Sequence, residues 1–302
     1  MDRKAVARET LDILRQGYYD AAVRPYDREG SREPEKRRVV IGDDLKWSVS
    51  HSVLYTPRQG SELLEWYEAQ MAAEGRRQPG GEAEKQKDLL DSQVENISTV
   101  DAIRMLSAEG KGNIGVLNFA SAKNPGGGFI NGAMAQEESL AASSTLYKTL
   151  TANEEYYRVN RANGSMMYTD YGIYSPDVTF FRDGRFRLAA DPVKASVLTM
   201  PAVNMGQVQQ KGEDMEEAKR VMRQRMKLTL AIFARQGAKN LVLGAYGCGV
   251  FRNDPVQVAM WWKEIFQEGF DRYFDSVVYA VLDGSRGQTC IGAFRKVFMG
   301  EA

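Results

Sequence analysis

The sequence predicts an α/β fold, a mostly parallel or mixed sheet held between layers of helix. Two observations carry that reading. From residue 98 onward, short apolar runs of strand length alternate with helix-length amphipathic segments, the pattern of βαβ units. Two of those runs, residues 114–119 and 240–244, lead directly into glycine-rich loops followed by helices, and in such sheets ligands collect outside the carboxyl ends of the strands. The 302 residues are enough for one large domain or for a domain with an accessory segment. Lys plus Arg (40) equals Asp plus Glu (40), so no global field draws the chain to nucleic acid or membrane.

In chain order, residues 5–19 have helical periodicity through Val6, Thr10, Ile13 and Leu14, and Gly17 is placed to end that helix. Residues 25–38 are rich in charge and turn formers, and Val39-Val40-Ile41 reads as a short strand. Residues 47–54 alternate like a strand that carries His51 half-exposed. The polar stretch 74–88, with Gly75, Pro79, Gly80 and Gly81 among many charges, reads as a mobile loop or linker. Then follow a helix at 100–107, a buried strand at 114–119 and a helix at 135–150. A hairpin is expected around Thr179–Arg182 and the turn Asp183-Gly184, and a strand at 195–200. A long helix at 215–236, a strand at 240–244, a helix at 255–267, a strand at 276–282 and a helix at 288–298 complete the chain. Residues 1–90 thus read as a helical and extended segment packed on or capping a core at 91–302.

Scarce residue types exclude several chemistries. The two cysteines, Cys248 and Cys290, form no CxxC pair, which suits a reducing compartment. There is neither a signal-peptide pattern nor an apolar stretch of membrane-spanning length, so the expectation is a soluble, cytoplasmic protein. A Ser-His-Asp or Cys-His enzyme would have to route its base chemistry through His51, the single histidine, which reads better as a surface residue. No spacing of His and Cys suits zinc, and no cofactor is implied.

Three motifs remain. In Asn118-Phe119-Ala120-Ser121-Ala122-Lys123-Asn124-Pro125-Gly126-Gly127-Gly128-Phe129, consecutive glycines remove every Cβ and let backbone N–H groups approach a ligand, as a phosphate cradle requires. It is not a Walker A loop, because no Gly-Lys-Ser/Thr follows. Gln136-Glu137-Glu138 falls in the first turn of the next helix, where acids also complement the macrodipole. Gly244-Ala245-Tyr246-Gly247-Cys248-Gly249-Val250-Phe251-Arg252-Asn253-Asp254-Pro255 is a second strand–loop–helix, with Asp254 as N-cap and Pro255 at N1. Cys248 within it reads as a small, partly buried residue rather than a nucleophile, since no histidine partner is in view.

The GGG to QEE spacing, together with the Gly-Cys-Gly-Val-Phe loop, resembles the signature of the poly(ADP-ribose) glycohydrolases, the microbial type above all. Arg8-Glu9-Thr10-Leu11, Ser98-Thr99-Val100-Asp101-Ala102 and Ser143-Ser144-Thr145-Leu146-Tyr147 are similar to that family too. The resemblance covers most of the chain, loosely before residue 90 and closely in the two loops.

It implies a macrodomain-like three-layer α/β/α fold with a central mixed sheet and an N-terminal extension, and hydrolysis of the ribose–ribose O-glycosidic bond of poly(ADP-ribose). On the matching positions, Glu138 would be the catalytic acid and Glu137 its ribose-binding neighbour. Asn124, Gly126, Gly127, Gly128, Gln136, Gly247, Cys248, Gly249, Val250 and Phe251 would meet substrate. The substrate would be poly(ADP-ribose) or an ADP-ribosylated protein, and ADP-ribose the product. The action would be exo, the enzyme monomeric, without metal, membrane or nucleic-acid partner, and its setting the reversal of ADP-ribosylation in the DNA damage response. Most glycosidases flank the scissile bond with two opposed carboxylates roughly 5–9 Å apart. Adjacent helical residues point about 100° apart, so one glutamate is expected to do the chemistry while the other holds substrate. A non-catalytic ADP-ribose reader and a hydrolase of mono-ADP-ribosyl groups on protein or nucleic acid are the competing readings. A phosphatase is a more distant one, which would want clustered metal ligands.

Overall fold

The computed structural model describes residues 2–23, 35–75 and 90–300. Helix α1 (Arg3–Gln16) starts on the Asp2 side chain, which accepts from the N–H groups of Lys4 and Ala5, and ends at Gly17 in the left-handed region. Gly17 stops it as expected, but residues 18–19 belong to strand β1 (Tyr18–Ala22), not to the helix. Strand β1 pairs antiparallel with β2 (Lys36–Val40), so the strand expected at 39–41 lies a few residues earlier. The rest of the polar stretch 25–38 falls outside the described residues up to residue 34.

Residues 42–50 correct a strand expectation. They form helix α2 (Gly42–Ser50), opened by Asp43 and Asp44, and its buried positions Leu45 and Ser48 are three apart. Helical spacing of the buried pair outweighs the alternation seen around Trp47 and Val49. Exposed His51 is the C-cap, with its ring 4.4 Å from that of Trp47. Strand β3 (Val53–Tyr55) is correspondingly short. Helix α3 (Pro57–Gly75) was not expected; Thr56 and Gln59 bond across its first turn, and it takes in Glu74 and Gly75 of the polar stretch. Residues 76–89 of that stretch lie outside the described residues.

Strand β4 (Asp91–Glu95) leads to helix α4 (Thr99–Ala108), capped by Ser98, and to β5 (Ile114–Phe119). The single helix expected at 135–150 is two, α5 (Gln136–Ser143) and α6 (Leu146–Ala152). Ser144 is extended (φ −149°, ψ 179°) and bridges to Phe180, while the Thr145 N–H donates to Thr179 O at 3.0 Å. The Ser144 hydroxyl also takes Leu140 O at 2.7 Å, so a Ser-Ser-Thr run offers the backbone partners that compete with the helical ones. Helix α7 (Glu154–Ala162), also unforeseen, buries Tyr156 and Tyr157.

The hairpin is longer than expected, β6 (Gly172–Arg182) against β7 (Leu188–Met200). Pro176 and Pro192 hide its length, since proline argues against a central strand; the register shifts between Ser175 and Val178, with Asp177 at φ 45°. Helices α8 (Met205–Lys211) and α9 (Met215–Arg235), strand β8 (Asn240–Leu243), helix α10 (Pro255–Gln267), strand β9 (Ser276–Ala280) and helix α11 (Thr289–Met299) follow.

The seven-stranded sheet has the order β3-β6-β7-β5-β8-β9-β4, mixed because β6 alone runs against the others. Its central strands are buried on both faces. Leu117, Leu198, Leu241 and Val277 point to a core shared with α9, α10 and α11, whereas Val116, Val197, Val242 and Val278 point to one shared with α4, α6 and α7. This is the three-layer α/β/α architecture. The parallel strands β7, β5, β8, β9 and β4 end on one edge, so both glycine-rich loops open there. No helix among the described residues is long and apolar enough to cross a membrane.

Candidate active site

Alternation along β5 aims Asn118 toward the α4–α7 layer, where it is fully buried. Its Nδ2 donates to Thr199 Oγ1 at 3.1 Å and to Glu137 Oε1 at 3.3 Å. Past the strand end, the Ser121 N–H donates to Glu137 Oε2 at 2.7 Å. Glu137 is therefore a buried carboxyl gripped at both oxygens. Burial nevertheless pushes its pKa up to about 8, against the lowering effect of the Ser121 and Asn118 donors and helped by the nearby charge of Glu138. Burial thus favours its protonated form.

Helix α5 begins at Ala135, which has no side-chain acceptor, so Glu138 at the third position reaches back and takes the Ala135 N–H at 3.1 Å. Its other oxygen takes the Gly128 N–H at 2.9 Å. Gln136 pins the helix to the sheet: its Oε1 accepts from the Phe119 N–H at 2.9 Å and its Nε2 donates to Leu117 O at 2.8 Å.

The glycine loop turns out to serve these carboxylates. The Gly126 N–H is directed at Glu137, the Gly127 N–H at Asn124 O (3.0 Å) and the Gly128 N–H at Glu138. The N–H groups of Gly127 and Gly128 are thus held by protein acceptors. Gly127 sits at φ 59°, and a Cβ there would come within 2.3 Å of Glu138 Oε1 and 3.2 Å of Glu137 Oε2. Both carboxylates thus converge on one glycine although they are neighbours on a helix.

The second loop has the free donors. The Tyr246 hydroxyl donates to Met200 O at 2.9 Å and the Trp262 indole to Gly244 O at 3.2 Å, fixing the loop's root. Gly247, at φ 73°, lies where a Cβ would strike Asn253 Nδ2 (2.5 Å) and Ala202 (2.7 Å). Beyond it, the N–H groups of Gly249, Val250 and Phe251 make no hydrogen bond among the described residues. All three residues line the cavity that holds the two glutamates.

Glu137, Glu138, Gln136, Gly247, Val250 and Phe251 line a cavity of about 320 Å³ with Ser121 at its floor. Through Phe119, Gln136 and Ala245 it adjoins a second cavity of about 530 Å³, lined by Ile97, Thr99, Cys248, Asp283 and Cys290. Asn124 and Gly126–Gly128 line neither; they back the carboxylates. Cys248 is half-buried and faces the second cavity beside Cys290. Asn118 and Ser121 went unassigned in the sequence reading. The signal for Asn118 is legible: an amide inside the otherwise apolar run 114–119.

A family model described as "Microbial-type PARG, catalytic domain" matches residues 7–183, more than half of the chain. The chain belongs to the microbial-type PARG family. Among solved structures, poly(ADP-ribose) glycohydrolase from Thermomonospora curvata aligns with a TM-score of 0.82 and 36% identity, over 98% of this chain and 99% of that one. The same enzyme bound to the inhibitor ADP-HPD aligns equally well, at TM-score 0.82. Poly(ADP-ribose) glycohydrolase from Deinococcus radiodurans in complex with ADP-ribose aligns at TM-score 0.73 and 39% identity, over 85% of this chain and 98% of that one. No curated protein matches. The microbial-type PARG signature at 118–138 is thus carried on the fold that the resemblance implies.

Proposed function

We propose that this chain is a poly(ADP-ribose) glycohydrolase that cleaves ribose–ribose O-glycosidic bonds and releases ADP-ribose. The observation that carries this is the pairing, across one cavity, of two convergent carboxylates with three open amides at 249–251. Such a cavity suits a ribose on the Glu137–Glu138 side and a diphosphate on the second loop, and the larger adjoining cavity has room for the nucleoside half. That relatives were solved with ADP-ribose and with ADP-HPD supports a ligand of that chemistry.

In this scheme Glu138 enters the step in its acid form and gives its proton to the leaving ribose oxygen as the glycosidic C–O bond breaks. The resulting carboxylate takes a proton from the water that bonds to the oxocarbenium-like carbon, which restores the acid. Glu137, neutral and rigidly held, donates a hydrogen bond to a ribose hydroxyl. Phe251 orders the ribose from the opposite rim. The scheme uses no metal. The family resemblance supports exo action, the two scattered cysteines suit a cytoplasmic setting, and the balanced charge supports the lack of a nucleic-acid partner. Residues 1–90 serve as an integral cap on the 91–302 core: Thr10 of α1 donates to Ala142 O at 2.6 Å, and β3 extends the sheet edge.

Incubation with defined poly- and mono-ADP-ribosylated substrates, following free ADP-ribose, tests the reading. Release from the polymer well above release from a mono-modified protein is expected. Tight ADP-ribose binding with no release from either would make the chain a reader instead.

A further inference from the structure

The segment between α7 and β6 has no regular structure, yet it is clamped from several directions. The Glu213 carboxylate accepts from the Ser165 hydroxyl at 2.6 Å and the Met166 N–H at 3.0 Å. Buried Arg225 donates to Met167 O and Pro201 O, both at 2.9 Å, and to Asp170 Oδ1 at 2.8 Å. Asn160 Oδ1 accepts from the N–H and hydroxyl of Thr169, at 3.0 and 2.9 Å. Between these clamps Tyr168 stands at φ 58°, a left-handed conformation that a residue with a Cβ keeps only where its surroundings over-determine it. That conformation sets its ring 5.9 Å from the ring of Phe251, on the rim of the cavity.

The two segments are also tied through the chain that follows β7. The Asn204 N–H donates to Met166 O at 3.0 Å and the Gly206 N–H to Phe251 O at 3.1 Å. Backbone bonds thus fix the distance between the segments, and the aromatic pair bridges them with side chains. Phe251 is half-buried and its neighbour Val250 is 84% exposed, so the ring of Phe251 is the inward-facing part of that stretch of the loop.

We infer that Tyr168 is a positioning residue for the reaction: its ring holds Phe251, and with it the open-amide loop, in the orientation that receives substrate. The inference rests on the glycohydrolase reading only for its kinetic consequence. Losing the ring should disturb alignment of the reacting ribose more than overall affinity, and misalignment acts on kcat.

The test compares wild type, Tyr168→Phe and Tyr168→Gly by hydrogen exchange and by ADP-ribose release from polymer. Glycine accepts the left-handed backbone without strain, so it removes the ring without forcing the loop to refold. In Tyr168→Gly, exchange of the hydrogen-bonded loop amides of Cys248, Arg252 and Asn253 should rise about fivefold or more while sheet amides keep their wild-type protection. Its kcat should fall about tenfold, with ADP-ribose affinity changed less than about threefold. Tyr168→Phe should restore both readouts. Unchanged loop exchange in Tyr168→Gly, a rise spread equally over the sheet, or a Tyr168→Phe variant as impaired as Tyr168→Gly would each overturn the assignment. If wild type itself releases no ADP-ribose, the glycohydrolase reading fails, and loop exchange still decides the role of Tyr168.

Discussion

Gly127 and the two glutamates beside it show how narrowly this site is built. At φ 59°, with Glu138 Oε1 only 2.3 Å from where a Cβ would stand, the position tolerates no side chain. Gly127→Ala should lose about 1–2 kcal/mol of stability to the left-handed backbone alone and should displace the Glu138 carboxylate; thermal melts and kcat together check this. Glu137 gives a separate signature. Its pKa is raised by burial to about 8, so the folded protein holds a proton that the unfolded chain releases in the ordinary carboxyl range. That contribution is fully present below the unfolded value and is lost as pH rises toward 8, on the order of a few kcal/mol. Wild-type stability should therefore fall between about pH 5 and 8, whereas Glu137→Gln, neutral throughout, should lack that slope. Melts across this pH range measure it, and parallel profiles would refute the buried, protonated Glu137.

At the scale of elements, the strand–loop–helix units were legible because their signals are local. Apolar runs mark β5 and β8, and Asp254 and Pro255 mark the start of α10. What stayed hidden depends on partners distant in sequence. The break at Ser144 exists because Phe180 and Thr179 offer sheet hydrogen bonds to a serine–threonine run. The Gly128 amide points at the Glu138 carboxylate ten residues away and the Gly127 amide at Asn124 O, and the long-range partner leaves no local mark in the sequence. The second loop is held at its root by Tyr246. Tyr246→Phe, which removes the bond to Met200 O but keeps the ring, should lower stability by about 1 kcal/mol and loosen ADP-ribose binding; calorimetry on the same variant reads both.

Over the whole molecule, helix α1 is joined to helix α5 through a buried cation. Arg182, 2% exposed, donates to Ala142 O at the end of α5 and pairs with Glu9 of α1 at 2.6 Å. Removing one partner leaves an uncompensated buried charge, so Glu9→Ala should destabilise the protein by about 2–3 kcal/mol, discounted from a fully buried pair because Glu9 is half exposed. Denaturant unfolding would show it as a single cooperative loss if α1 belongs to the core, and as a separate early transition if it does not. The balanced charge that argued against a nucleic-acid partner gives no hint of this latch, because it depends on one arginine of forty basic residues.

The account turns on Glu138 as the group that moves the proton. Its most direct test is the turnover of poly(ADP-ribose) by Glu138→Gln, measured beside ADP-ribose affinity of the same preparation. The account predicts a loss of about 10²–10⁴ in kcat with affinity close to wild type. Near-full hydrolysis by Glu138→Gln would contradict it.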